Sequence, residues 1–483
     1  MAETLALDPL IATDPEGRDH PILAAIVPTL ENGGISRDGL TITYHLRRGV
    51  RWQDGARFTS RDVQFSFAAI VNPNNAAASR HGYDDVLRVD TPDAFTAVVR
   101  LKKPFAPAVH TFFAHSDTPY EILPAHLLAR YGSLDRIPFN DAPVGTGPFK
   151  VVRWLHGERV DYVANDEYFF GKPKIRRITI RIVPDENTIV NLLRTHEIDW
   201  FVQPTPRTYP ALKGIPGIDI RLVNFNGYYA VQVNVSRPAL SDVRVRQALA
   251  LAVDKRRLVR DTTFGTAVPA TEDLPSFMWA FNPKAGTRKF DLPKARTLLD
   301  AAVWRAGADG IRRRNGERLT LGLAFATDSA TDRLVGPAIV AMLKDAGIDV
   351  ELKGYNTSLL YAPQAEGGPL ASGRYDLALQ PWYSGIDPDD SSQMMCDQFP
   401  PAGWNWSRYC NAAEMDEAQR LALDHYDIPT RKRAYASVEG LLARDAPFVY
   451  IWWPRQIEAV NSDLKNFRPN GIMEDWNAYE WSI

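Results

Sequence analysis

The stretch Leu319-Thr-Leu-Gly-Leu-Ala-Phe-Ala326, with the helical pattern that follows it and then Gly347-Ile-Asp-Val-Glu-Leu-Lys353, decides the fold class. Its first part is a short apolar run of strand length. Val335, Ile339, Met342, Leu343 and Ala346 then recur at the spacing of one helix face, and Gly347 stands where a helix ends in a left-handed residue. Ile348–Lys353 returns to strand composition, so the whole is a βαβ unit, and Tyr375–Leu379 reads as the next strand. Strand, helix, strand, helix, strand predicts a parallel sheet covered on both faces, with ligands at the carboxyl ends of its strands. The loop after Leu379 is therefore the expected ligand site. It holds Trp382, Tyr383, Asp387, Asp389 and Asp390 and runs on through Cys396, Trp404, Trp406 and Cys410.

Working backwards, Tyr228–Val235 is strand-like and leads past Pro238 to a helix with Val245, Ala248, Leu249 and Ala252 on one face. Asp185 stands as N-cap of a helix carrying Ile189, Leu192 and Leu193, after strands at Tyr162–Ala164 and Arg177–Val183. Pro143-Val-Gly-Thr-Gly-Pro148 gathers the residues that interrupt regular structure, which marks a boundary. Ahead of it, Leu40–Leu46 alternates as a strand after the Asp38-Gly39 turn. Thr59-Ser-Arg-Asp62 resembles a capping box opening a helix through Val63, Phe67 and Ile70, and residues 90–101 form a turn and another strand. This first region reads as a small α+β lobe.

A chain of 483 residues, 45% hydrophobic, is long enough for two or three cores, because single cores stop growing near ~250–300 residues. The formal charge of −2 and the absence of like-charge runs offer no field for nucleic acid or anionic lipid. Apolar runs such as Leu249–Val253 and Phe448–Trp453 fall well short of the ~20 residues that span a bilayer. The opening Met1-Ala-Glu-Thr-Leu-Ala-Leu-Asp8 has neither a basic nor an apolar signal region. The two cysteines, Cys396 and Cys410, share one loop-like stretch. Closing so short a loop contributes about 3 kcal/mol in the chain-entropy model, which favours a disulfide and an oxidising compartment; the other reading is two buried thiols.

Several constellations carry no chemistry on inspection. Gly145-Thr-Gly147-Pro-Phe-Lys150 has two glycines of a phosphate loop, but Pro148 removes an amide such a loop uses, so it reads as a junction turn. Asp387-Pro-Asp389-Asp390 as a calcium loop lacks the glycine at its sixth place, where Ser392 stands, and the glutamate at its twelfth, where Gln398 stands. As a glycosidase pair, Asp387 with Asp389 or Asp390 would need carboxyls of unlike acidity flanking a bond, which adjacency cannot establish. The remaining readings are ligand contact or solvated turn. The nine histidines form no metal-spaced pair, so neither metal nor cofactor is expected, and no serine-nucleophile motif is present. Trp52, Trp154 and Trp304 read as core. Trp382, Trp404 and Trp406 have Gly, Pro, Ser, Asp and Asn for neighbours, which suits a pocket for an amphipathic or cationic solute.

Asp38-Gly-Leu-Thr-Ile-Thr-Tyr-His-Leu-Arg-Arg-Gly-Val-Arg-Trp52-Gln-Asp-Gly-Ala-Arg-Phe-Thr-Ser-Arg-Asp62-Val resembles the signature hairpin and helix of extracellular solute-binding proteins of family 5. That family holds dipeptide-, oligopeptide- and nickel-binding proteins. Pro143-Val-Gly-Thr-Gly-Pro-Phe149, Asn165-Asp-Glu-Tyr168, Glu197-Ile-Asp199, Asp242-Val-Arg-Val-Arg-Gln-Ala248 and Ala252-Val-Asp254 match later landmarks in the same order, over nearly the whole chain. The resemblance implies an α/β clamshell of the periplasmic-binding-protein type II kind with an extra α+β domain. Domain I would comprise residues 1–12, 144–236 and 456–483, domain II residues 13–143, and domain III residues 237–455. Ligand would lie between domains I and III, with a hinge near Tyr229–Ser236 and Pro454, and Cys396–Cys410 would match a family disulfide.

The function so implied is that of the substrate-binding component of an ABC importer, which holds a small solute without chemistry and delivers it to the permease. A peptide or peptide-like solute, a monomer, and a periplasmic or cell-surface location follow. In peptide-binding members an aspartate three residues after the tryptophan matching Trp382 holds the ligand ammonium. Gly385 stands there in this chain, with a loop one residue shorter, which makes Asp387 the substitute and leaves sugars, opines and metal chelates open. Members also carry a signal peptide and a longer first strand region, so a truncated or late start is expected here. The expected ligand contacts are His81, His115, Tyr228, Tyr229, Trp382, Tyr383, Gly385, Asp387, Trp404, Asn405 and Trp406. The alternatives are a secreted hydrolase using Asp387 with Asp389 or Asp390, and a binding module serving a sensory receptor.

Overall fold

The βαβ unit lies at one end of a six-stranded sheet in the order Val268–Pro269, Phe448–Trp453, Gly227–Val233, Leu377–Tyr383, Thr320–Ala326, Asp349–Tyr355. The computed structural model describes residues 4–114, 120–285 and 288–483. Thr320–Ala326 is parallel to both its neighbours. The helix between the first pair, Ala330–Asp345, is capped by Ser329, whose hydroxyl accepts from the Asp332 amide at 3.1 Å. It ends at Gly347, whose φ of +86° carries the turn at no side-chain cost.

The sheet is mixed, not parallel throughout as expected. Gly227–Val233 is antiparallel to both Leu377–Tyr383 and Phe448–Trp453. The reason lies in the chain path. Ile218–Asn224 and Arg455–Asn461 already pair antiparallel in a second sheet, and the same two chains continue into the first, so no helical crossover intervenes. This two-chain ribbon passes between sheets at Phe225-Asn226 and at Pro454. The first crossing precedes the Tyr229–Ser236 stretch implied by the resemblance.

All seven residues of Gly227–Val233 are buried because both faces are covered. Tyr229, Val231 and Val233 join a core with Val245, Ala248, Leu249, Ile339 and Leu343, whereas Tyr228 and Ala230 face Val438, Leu441 and Leu442. A second core surrounds Ile42, Tyr44, Trp52, Val63 and Val99 of the front lobe. There the Thr59 amide donates to Asp62 at 2.8 Å, so aspartate closes the capping box of helix Ser60–Val71. Its third strand, Val86–Asp93, was not read from the sequence because its burial lacks a period of two. Further cores join Phe149, Tyr162, Phe467 and Trp481, and Val190, Phe201, Ile457 and Ala459. Leu7, Leu10 and Ile11 pack with the front lobe, while Leu5 packs beside Phe149.

The junction turn is a close approach of three chain segments. Gly147 donates its amide to the Ala6 carbonyl at 2.9 Å, and Gln53 donates to the Gly145 carbonyl at 2.8 Å. A β-carbon on Gly145 would fall 1.7 Å from the Ala6 oxygen, so no side chain fits. Gly145→Ala is expected to destabilise the protein by on the order of 3 kcal/mol in chemical denaturation. Gly132→Ala, where a β-carbon meets nothing within 4 Å, should change it little.

Candidate functional site

Strand Leu377–Tyr383 delivers its carboxyl end into a cleft of about 600 Å³. One wall comes from residues 79–111 of the front lobe and the other from residues 382–424. No part of 144–236 lines it. The cleft therefore opens between the front lobe and the βαβ lobe, where the resemblance had implied domains I and III. The lobes also touch directly, through the Ala106 amide on the Leu423 carbonyl at 2.6 Å and the Tyr426 hydroxyl on the Gly39 carbonyl at 3.1 Å.

Of the expected contacts, His81, Trp382, Tyr383, Gly385, Asp387 and Trp404 line this cleft. Trp382 and Trp404 meet edge to face with ring centroids 5.3 Å apart, and the Trp404 amide is pinned to the Ser392 carbonyl at 2.8 Å. Tyr383 meets Phe225 in the same manner at 5.2 Å. The Asn226 side chain donates to the Gly385 carbonyl at 2.9 Å, which ties the loop to the sheet crossing.

Four expected contacts are elsewhere. Tyr228 is buried in the core and donates to Gln393 at 3.0 Å; Tyr229 stacks on Trp452 at 4.5 Å and donates to Asp332 at 2.7 Å. A fully covered strand sends alternate side chains into helices on either side, so neither ring reaches the cleft. Asn405 is fully buried and donates to the carbonyls of Met395 and Tyr409, at 3.0 and 2.7 Å. It braces the loop closed by the Cys396–Cys410 disulfide, whose Cα atoms are 4.7 Å apart. Trp406 packs against Tyr361 on the far side of that loop. His115 lies outside the described residues.

The acidic run is the centre of the electrostatics. Asp387 accepts two hydrogen bonds from Arg431, at 2.6 and 2.7 Å, with both side chains buried. His110 stands 3.7 Å from the same carboxylate and pairs with Asp19 at 2.9 Å. Burial opposes charge on Asp387, but Arg431 and then His110 outweigh it and hold the carboxyl well below its usual range. Burial likewise opposes charge on His110, yet Asp19 and Asp387 push its pKa up to about 10. Asp389 pairs with His81 across the cleft at 2.8 Å. Asp390 turns away from the cleft and joins Glu272, Asp273 and Glu439 in a buried acidic cluster. Burial pushes Glu272 up to about 9 and Glu439 to about 10, so both are protonated at neutral pH.

Arg431 and His110 were missed by sequence reasoning. Arg431 did leave a signal, since it shares a helix face with Ala434, Tyr435 and Val438, and an arginine in an apolar stripe calls for a buried partner. His110 left none. Among the described residues no group of three or more His, Cys, Asp or Glu side chains is arranged to hold a metal ion.

A family model described as bacterial extracellular solute-binding proteins, family 5 (middle), matches residues 8–403. The chain belongs to that family. Protein XP55 of Streptomyces lividans is 28% identical, over 92% of this chain and 78% of its own. The glutathione-binding protein GsiB of Salmonella choleraesuis is 29% identical, over 91% and 82%. NikZ from Campylobacter jejuni, solved in complex with Ni(L-His), aligns with 26% identity over 99% of this chain and 94% of its own, at a TM-score of 0.82. As a family 5 protein the chain is the solute-binding component of an ABC importer. Within the site, Asp387 and Asp389 are each held by a basic side chain, and Asp390 does not line the cleft.

Removing Arg431 would leave Asp387 buried and unpaired, so Arg431→Met should cost about 3–5 kcal/mol, and Arg431→Met with Asp387→Leu much less, by urea titration. The pH dependence has a definite sign. Glu272 and Glu439 bind protons more tightly folded than unfolded, so stability falls as pH rises from about 4 through about 10. His110, with its raised pKa, adds stability that is complete below about 6.5 and lost as pH climbs through about 10. The thermal midpoint should therefore drop between pH 6 and pH 10, and Glu439→Gln should flatten that slope.

Proposed function

We propose that this protein captures a peptide or peptide-like solute in the cleft between its two lobes, outside the cytoplasmic membrane, and presents it as a monomer to an ABC permease. The observation that carries this reading is the cleft itself. An open cleft of about 600 Å³ lies between two lobes that already touch, with the rings of Trp382 and Trp404 on one wall and Phe105 and Pro107 on the other. A space of that size suits a small solute of a few residues, and two packed lobes can part and close around it. A periplasmic or cell-surface setting is supported by the Cys396–Cys410 disulfide, which an oxidising compartment preserves. Binding without chemistry is supported by the state of Asp387 and Asp389, whose ion pairs leave neither free as a general acid or base.

Mass spectrometry of small molecules released on denaturing protein purified from an exporting host tests the reading. A stoichiometric peptide or modified peptide is the expected result. A sugar, an opine or a metal chelate in its place would overturn the peptide assignment while keeping the carrier.

A further inference from the structure

The carboxylates in the buried part of the cleft are already bound by the protein's own basic side chains. Asp387, 5% exposed, carries both terminal nitrogens of Arg431, and His110 closes on it from the opposite lobe. Asp19, His110, Asp387 and Arg431 thus alternate in sign along one chain of contacts and sum to no net charge. Asp389, with its side chain 7% exposed, is hydrogen-bonded to His81. The remaining charged groups of the lining sit differently. Asp84, Asp397 and Asp424 are exposed, as are Lys103 and Arg420, while Asp85 is ion-paired to Lys103 at 3.3 Å. Arg80 donates to the Asn72 carbonyl at 3.0 Å. Asp84, Asp397 and Asp424 thus carry exposed charge at the mouth, where Lys103 and Arg420 face Asp85 and Asp416, and the buried carboxylates are paired inside.

Besides these, the lining presents uncharged groups: Phe105, Ile386 and Met395, the rings of half-buried Trp382 and exposed Trp404, and the hydroxyls of Ser384 and Ser391. An ammonium group entering here would need a carboxylate. Drawing Asp387 away from Arg431 would leave a buried guanidinium unpaired, a penalty on the order of a hundredfold to a thousandfold in affinity.

We infer that the solute enters this cleft by an uncharged end, as an N-blocked or cyclic peptide or a peptide-like molecule without a free ammonium, and leaves its charged groups at the mouth. Asp387 is then a positioning residue: with Arg431 and His110 it fixes the loop that carries Trp382 and Gly385, and it does not select a cation. This rests on the peptide reading above and narrows it.

An equimolar tetrapeptide library, prepared once with free amino termini and once N-acetylated, is offered as a mixture to the ligand-stripped full chain, and the retained species are read by native mass spectrometry. N-acetylated species are expected to be retained at least about tenfold over their free-amine counterparts. Parity, or an excess of free-amine species, overturns the inference and leaves the peptide reading standing. Retention of neither form overturns both. Arg431→Met, which releases Asp387, should shift the retained set toward free amines; a folded variant without that shift overturns the role given to the ion pair. The wild-type comparison decides alone if that variant does not fold.

Discussion

Arg431 and Asp387 are 44 residues apart in sequence and share two short hydrogen bonds in a setting from which water is nearly excluded. Neither ion would tolerate that burial alone, so each fixes the other, and each fixes the element that carries it. Arg431 belongs to the long helix Ile428–Asp445, whose other buried face covers one side of the central sheet. Asp387 belongs to the loop that leaves that sheet. The pair therefore fastens an irregular segment to the most regular part of the lobe. His110 and Asp19 extend the contact into the front lobe, so the interaction that shapes the loop also helps hold the two walls of the cleft together.

Around this network the cleft is braced by contacts of different physical kinds. The disulfide and Asn405 shape the turn that presents Trp404, while Asn226 ties Gly385 to the crossing between sheets. Beneath them, Asp390 enters an acidic cluster in which burial keeps Glu272 and Glu439 protonated. Adjacent residues of one acidic run thus meet opposite fates. Asp387 is held ionised by a cation, and Asp390 is pushed toward the protonated form by burial and by Asp273. Proximity along the chain gave no hint of that division, because acidity answers to neighbours in space.

Much of the fold was legible beforehand. The βαβ unit declared itself through Val335, Ile339, Met342 and Leu343 at helical spacing and through Gly347 at the helix end, and the caps at Thr59 and Asp185 fall where local hydrogen bonding requires. The antiparallel half of the central sheet was not legible, since Gly227–Val233 and Phe448–Trp453 are buried on both faces and show no period that reveals direction. At the cleft, Trp382 and Trp404 were readable as loop aromatics beside carboxylates. Tyr228 and Tyr229 were misleading, because adjacent tyrosines on a covered strand look the same whether they meet a ligand or a helix.

By itself the sequence determined the family, the βαβ lobe, the junction turn at Gly145–Gly147 and the loop from which one wall of the cleft is built. These depend on local spacing and backbone demands that a linear chain displays. Tertiary structure alone decided which lobes face each other and which carboxylates remain free. Arg431, His110 and Asp19 reach Asp387 from far along the chain, and charge state in a buried cleft is set by whatever side chains arrive there.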